Sequence, residues 1–292
     1  MSQPFHLAGI IPVAGQSLDF NFPWHDSLMP IGANYLAVER SVVECAYAGC
    51  ETIWIVCHDD MQPLIRHRLG EYVEDPVWLG RTLSTNPAEE RKQIPIYYVP
   101  IHPKDRDKRD CLAWSVIYGA NSAYMVSKTI SKWLIPSRYY VSFPYGIYPV
   151  EFIKFHRKEI SSEKTFCLYT GDKETVKNNK YLGFTFDFEQ YKEFRDTVRK
   201  EGTGTRVPSK GKMSTKDLPV EERWSARFFP VDKVFNPLDV DKNCELVEVE
   251  WYHNIDNWEE YCLYLGSQKS KEMIRPSKAL LCYREFGTIG KE

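Results

Sequence analysis

The 292-residue sequence contains no apolar run near the roughly 20 residues that a helix needs to span a bilayer, so no membrane-spanning segment is expected. Neither charge is in excess. The 38 Lys and Arg face 40 Asp and Glu for a formal net charge of -2, which removes the electrostatic case for nucleic acid or an anionic membrane as partner. No Cys-x-x-Cys pair occurs among Cys45, Cys50, Cys57, Cys111, Cys167, Cys244, Cys262 and Cys282. Most of these sit inside apolar stretches and read as reduced core residues, the pattern of a cytoplasmic protein. A zinc site from Cys45, Cys50, Cys57 and His58 is the competing reading, disfavoured because Cys45 falls on a helical pattern and Cys57 ends a strand. The N-terminal stretch has no basic segment before its apolar run, so a cleaved signal peptide is not expected. Nucleophile-elbow, phosphate-loop, zinc-protease and dinucleotide-fold signatures are all missing.

What the chain does have is aromatic weight. Tyr occurs 18 times and aromatics make up 14%, so many rings are expected half-buried with hydroxyls reaching a polar partner. Near-continuous apolar or aromatic runs mark strands at Leu7–Val13, Thr52–Cys57, Pro95–Ile101, Tyr139–Phe143, Thr165–Tyr169 and Leu246–Trp251. Between them the spacing of Tyr35, Val38, Val42, Cys45 and Ala46 predicts one apolar face of a helix over Asn34–Ala48, with Gly49 as its terminating glycine. Helices are also expected at Asp60–Tyr72, Leu112–Trp133, Pro149–Ile160, Phe188–Lys200 and Trp258–Gly266. Strand and helix alternate, which argues for a three-layer α/β/α arrangement around a mixed, mainly parallel sheet. Residues 76–91 and 202–216 break the pattern and read as loop insertions in one domain covering 1–292. The second carries Arg206, Lys210 and Lys212, either a phosphate-contacting flap or a solvated excursion, and the latter is preferred.

The first 57 residues run strand, small-residue loop Val13-Ala14-Gly15-Gln16-Ser17, Pro30-Ile31-Gly32, amphipathic helix, Ala48-Gly49 turn, strand. That order resembles the start of the sugar-nucleotide pyrophosphorylases, nucleotidyltransferases of the GT-A-type, Rossmann-like fold that join a nucleoside triphosphate to a sugar phosphate. The resemblance implies that Val13, Ala14, Gly15, Gln16 and Ser17 wrap the nucleotide, with backbone N–H groups aimed at phosphates. It also implies Mg²⁺ as cofactor and a nucleoside triphosphate or sugar nucleotide as ligand.

The charged landmarks of that family are replaced. Ser17 takes the second glycine of its loop pattern, and Leu18 and Asp19 stand where Thr-Arg is expected. A guanidinium fork is thereby exchanged for a charge that repels phosphate. The family's lysine before Pro-Ile-Gly falls on Asp26, Ser27 or Leu28, with His25 as the substitute at hand. The metal-binding Asp expected after the strand at Tyr139–Phe143 falls on Pro144 and Tyr145, and no Asp occurs between Cys111 and Gly171. Near the C-terminus, His253-Asn254-Ile255-Asp256-Asn257-Trp258 resembles the family's closing acidic pattern, with Asn254 for the first acid and Asp256 for the second. Asp256 is thus the candidate metal ligand, against a helix-capping role for it or Asn257. At the end of the second strand, Asp59 or Asp60 is expected to cap the next helix.

Landmarks that shape the fold survive while those that do chemistry do not. The expectation is a nucleotidyltransferase-like protein with reduced or lost activity. The alternatives are a non-catalytic scaffold or interaction protein, working through a protein partner or a homo-oligomer, and a GT-A glycosyltransferase.

Overall fold

The computed structural model describes residues 5–15, 21–79, 92–106, 111–204, 229–240 and 244–276. Its strands are β1 (Leu7–Pro12), β2 (Pro30–Gly32), β3 (Tyr35–Leu36), β4 (Thr52–Cys57), β5 (Tyr72–Glu74), β6 (Gln93–Pro100), β7 (Arg138–Val141), β8 (Gly146–Ile147), β9 (Thr165–Tyr169), β10 (Phe184–Phe186), β11 (Cys244–Glu248) and β12 (His253–Asn254). The helices are α1 (Ala37–Ala48), α2 (Gln62–Leu69), α3 (Pro76–Leu79), α4 (Pro103–Arg106), α5 (Leu112–Ile130), α6 (Arg157–Ile160), α7 (Phe188–Gly204), α8 (Val231–Val234), α9 (Trp258–Gly266) and α10 (Gln268–Glu272).

Eight strands form one sheet in the order β11-β9-β10-β7-β1-β4-β6-β5. The central strands β7, β1, β4 and β6 are parallel, β10 runs against both its neighbours, and β5 closes one edge antiparallel. Strand residues alternate between two cores, as the period of two requires. Leu7, Ile11, Ile53 and Ile55 pack with Val38 and Val42 of α1 and with Ile153 and Ile160. Ala8, Ile10 and Trp54 pack on the opposite side with Val116 and Ile117 of α5, Phe194 of α7 and Val234 of α8. The result is helices on both faces of a mainly parallel sheet. A third cluster joins Met29, Ile31 and Tyr35 to Ile147, Ile255, Tyr261 and Tyr264, holding the β2–β3 and β8–β12 ribbons together.

The strands Thr52–Cys57 and Thr165–Tyr169 and the helix Trp258–Gly266 coincide with the sequence reading residue for residue. Gly49 ends α1 at φ 88°, a left-handed conformation that glycine adopts without a Cβ penalty. Other boundaries differ for identifiable reasons. Tyr35–Leu36 pairs with Pro30–Gly32, so α1 starts at Ala37 rather than Asn34. The helix expected over Asp60–Tyr72 stops at Leu69, because Tyr72 opens β5. Neither Asp59 nor Asp60 caps it: the N-cap is Met61, without a side-chain cap, and Asp60 Oδ1 accepts the adjacent Met61 N–H at 3.0 Å. Pro149–Ile160 divides into a 3₁₀ segment at Glu151–His156 followed by α6. Of the two expected insertions, Pro76–Leu79 is a helical turn and residues 202–204 end α7, while 80–91 and 205–216 lie outside the described residues.

Candidate functional site

The loop after β1 leaves the sheet beside the end of β4. Val13 N–H and Ala14 N–H both donate to the Val56 carbonyl, at 2.8 and 2.9 Å. The Ala14 carbonyl accepts Ser115 Oγ of α5 at 2.6 Å, and the Val13 carbonyl accepts the Tyr145 hydroxyl at 2.8 Å. Gly15 has φ +89°, and a Cβ there would lie 2.4 Å from the Cys111 carbonyl carbon. The turn is therefore glycine-dependent and pressed against the start of α5. The two N–H groups at Val13 and Ala14 are spent inside the protein. Gln16 and Ser17 lie outside the described residues.

Tyr145 occupies the place after β7 where the resemblance calls for an acid. It is fully buried, and its ring meets that of Tyr181 edge-on with centroids 5.7 Å apart. The Tyr181 hydroxyl reaches Asp256 Oδ2 at 3.3 Å, and Asp256 Oδ1 accepts Asn257 Nδ2 at 2.9 Å. Asn257, not Asp256, caps α9, its side-chain oxygen accepting Glu260 N–H at 2.9 Å. The sequence thus offered two capping candidates, and the cap leaves Asp256 facing inward.

Asp26 lies within electrostatic reach of Asp256. It is 1% exposed, its Oδ1 accepts Ser27 N–H at 2.8 Å and lies 3.0 Å from His25 Nδ1, and its Oδ2 has no hydrogen-bond partner. Burial pushes its carboxyl above the ordinary value near 3.8, His25 and Ser27 oppose the rise, and the nearby Asp256 carboxylate adds to it. His25, the expected substitute for the lysine, is tied to Ser27, with Nδ1 at 2.9 Å from Ser27 Oγ.

Behind this lies a closed ionic network. Glu44 of α1 accepts Tyr140 and Tyr148 hydroxyls on Oε1, at 2.7 and 2.8 Å, and Ser142 Oγ and Arg40 Nη1 on Oε2, at 2.5 and 2.9 Å. Arg40 Nη2 donates to the Phe143 carbonyl at 2.6 Å, and both charged groups are fully buried. This guanidinium faces α1 and β7, and contact with a ligand phosphate is denied to it.

The residues present do not fit the Mg²⁺ ion that the resemblance implies. Tyr145 supplies a ring where a carboxylate is needed, and both Asp256 oxygens already accept hydrogen bonds. Among the described residues no three of His, Cys, Asp or Glu converge to hold a metal ion. The same holds for zinc, and Cys45 and Cys50 instead pack together beneath Gly9 of β1.

Asp26, Tyr181 and Cys111 enter this site without having been assigned to it from the sequence. In the sequence Asp26 stands only as one of the residues in place of a lysine. Nothing in the local sequence around Cys111 shows that it abuts Gly15.

No protein-family model and no curated protein sequence matches the chain. Solved structures do match in fold. A protein described as a glucose-1-phosphate thymidylyltransferase from Bacillus anthracis superposes with a TM-score of 0.56 at 9% identity, covering 94% of this chain and 98% of its own. The nucleoside-diphosphate-sugar pyrophosphorylase from Vibrio cholerae RC9 superposes with a TM-score of 0.50 at 12% identity, covering 89% and 100%. The chain has the Rossmann-like α/β fold of nucleotidyltransferases. At these identities the likeness defines the fold alone. Among the described residues no helix is long and apolar enough to cross a membrane.

Proposed function

We propose that this is a nucleotidyltransferase-like protein, related to sugar-nucleotide pyrophosphorylases, in which transfer of the nucleotidyl group is reduced or lost. The observation that carries the reading is Tyr145, a buried ring bonded to the Val13 carbonyl at the position where a metal-binding acid would stand. Without a cation to neutralise the reacting phosphates, the largest electrostatic contribution to such a transfer is missing. The ligand of the Val13–Gly15 loop in this reading is a nucleotide or sugar nucleotide, bound in the cytoplasm without turnover. Asp256 is the residue on which any residual metal dependence rests.

The test is a thermal-shift titration against ATP, CTP, GTP, UTP, dTTP and common sugar nucleotides, each with and without Mg²⁺. A ligand at 100 times its dissociation constant stabilises by about 2.7 kcal/mol, well within what a melt resolves. The expected result is a shift that does not depend on Mg²⁺, with no pyrophosphate released. A Mg²⁺-dependent shift for one triphosphate that disappears in Asp256→Ala overturns the proposal.

A scaffold role is the second reading, favoured by large apolar side chains left in water: Trp24 is 55% exposed, Phe155 73% and Leu263 65%. It predicts no shift anywhere on the panel and a self-associated or partner-bound state instead. The glycosyltransferase reading has no observation in its favour.

A further inference from the structure

Helix α9 is apolar on both sides. On one side Tyr261 and Tyr264 are buried against β2, their hydroxyls donating to the Pro30 and Ile31 carbonyls at 2.8 and 2.5 Å. At about 100° per residue, the opposite side carries Glu259, Cys262, Leu263 and Gly266. Cys262 is an exposed free thiol, Leu263 is 65% exposed, and Leu265 at the margin is 45% exposed. A surface helix normally turns charged and polar residues outward, and one that is apolar all round is a covered helix.

The path of the chain after α9 points to the cover. The Met273 carbonyl lies against Gly32, where a Cβ would collide with it, one residue from the Ile31 carbonyl that holds Tyr264. Arg275 Nη2 then donates to Glu39 Oε1 at 3.1 Å, so the described chain ends at Pro276 close to the inner side of α9. A helix with its side chains is about 10–12 Å across, and four extended residues span about 13 Å. Leu280 and Leu281 are the fourth and fifth residues after Pro276, inside the apolar run 279–283. Lys278 and Arg284 flank that run, while α9 carries Glu259 on its outer side and neither lysine nor arginine. Reach, apolar content and charge therefore agree. We propose that the outer side of α9 is the docking surface for the chain's own segment 277–286, with Leu280 and Leu281 set against Leu263 and Leu265. The contact is independent of any ligand at the Val13–Gly15 loop.

Two native thiols report on it, Cys262 on the helix and Cys282 in the segment. The test is the rate of N-ethylmaleimide labelling at each, read by peptide mass spectrometry, in the full chain and in a Leu280→Asp/Leu281→Asp variant. Docking shields Cys262, so the variant should label there about tenfold faster or more, although its changes lie 18 and 19 positions further along the chain. Buried Cys57 should stay unlabelled in both proteins, which separates release of the segment from unfolding. The reciprocal substitution Leu263→Asp, at an exposed position, should speed labelling of Cys282 by a similar factor. Equal Cys262 rates in the parent and the double variant, or an unchanged Cys282 rate in Leu263→Asp, overturns the proposal. Shielding of Cys262 that grows with protein concentration assigns the surface to a second copy and overturns it as well.

Discussion

Tyr145 donates its hydroxyl to the Val13 carbonyl at 2.8 Å, with both residues fully buried. The Tyr145 carbonyl in turn accepts Ile255 N–H at 2.9 Å, so one residue links the loop after β1 to the segment carrying Asp256. Tyr145→Phe keeps the ring but leaves a buried carbonyl unpaired, a loss of about 1–3 kcal/mol. Urea unfolding followed by circular dichroism measures it. An unchanged midpoint would show that the Val56 and Ser115 contacts hold the loop without the tyrosine.

Glu44 and Arg40 form a buried pair in which the carboxylate accepts from four donors. Glu44→Ala strands the guanidinium and should destabilise by about 3–5 kcal/mol. The double substitution Arg40→Met/Glu44→Leu removes both charges together and should cost less than Glu44→Ala alone. Denaturant midpoints of the three proteins decide. A double variant less stable than the single one would mean that the pair stabilises the fold beyond its own desolvation.

Asp26 supplies a pH dependence of defined sign. Its folded-state carboxyl is raised above the ordinary 3.8, chiefly by burial. The folded protein therefore holds this proton more tightly than the unfolded chain. The resulting stability is present below pH 3.8 and is lost as pH rises through the folded value. Asp26→Asn mimics the protonated acid and keeps an acceptor for Ser27 N–H. It should be more stable than the parent at pH 7, with the advantage shrinking towards pH 3.5. A variant less stable than the parent at pH 7 would show that the ionised carboxylate has a partner worth more than its burial costs.

Arg157 closes the end of α1 from another segment. Its guanidinium donates to the Ala46 and Tyr47 carbonyls, at 2.6 and 2.8 Å, and meets Asp75 through both oxygens, at 2.8 and 3.3 Å. A lysine keeps the charge but not the fork. Arg157→Lys should lower stability by about 1–2 kcal/mol, read as a reduced melting temperature. Equal melting temperatures would reduce the contact to a surface ion pair.

Long apolar runs made the central sheet legible in sequence, because strands covered on both faces need little else to declare themselves. Thr52–Cys57 and Thr165–Tyr169 are such runs. β5 and β10, at three residues each, carry no periodicity to read and are held by their neighbours in the sheet. Of the candidate site, only the chain-local part can be read from the sequence. Ala14-Gly15 and Asp256 are candidates by local pattern, while Cys111 meets Gly15 and Tyr181 meets Asp256 from distant positions.

What the sequence determined by itself is the class of fold and the loss of the charged landmarks, since both follow from residue type and local order. Tertiary structure decided what replaced them. The Tyr145 hydroxyl finds the Val13 carbonyl 132 positions away, and Tyr181 meets Asp256 across 75. Glu44 gathers donors from β7 and the segment beyond it at separations of 96 to 104 residues. Such pairings depend on how helices and ribbons dock on the sheet, and a buried polar group takes whichever partner that docking brings within hydrogen-bond reach.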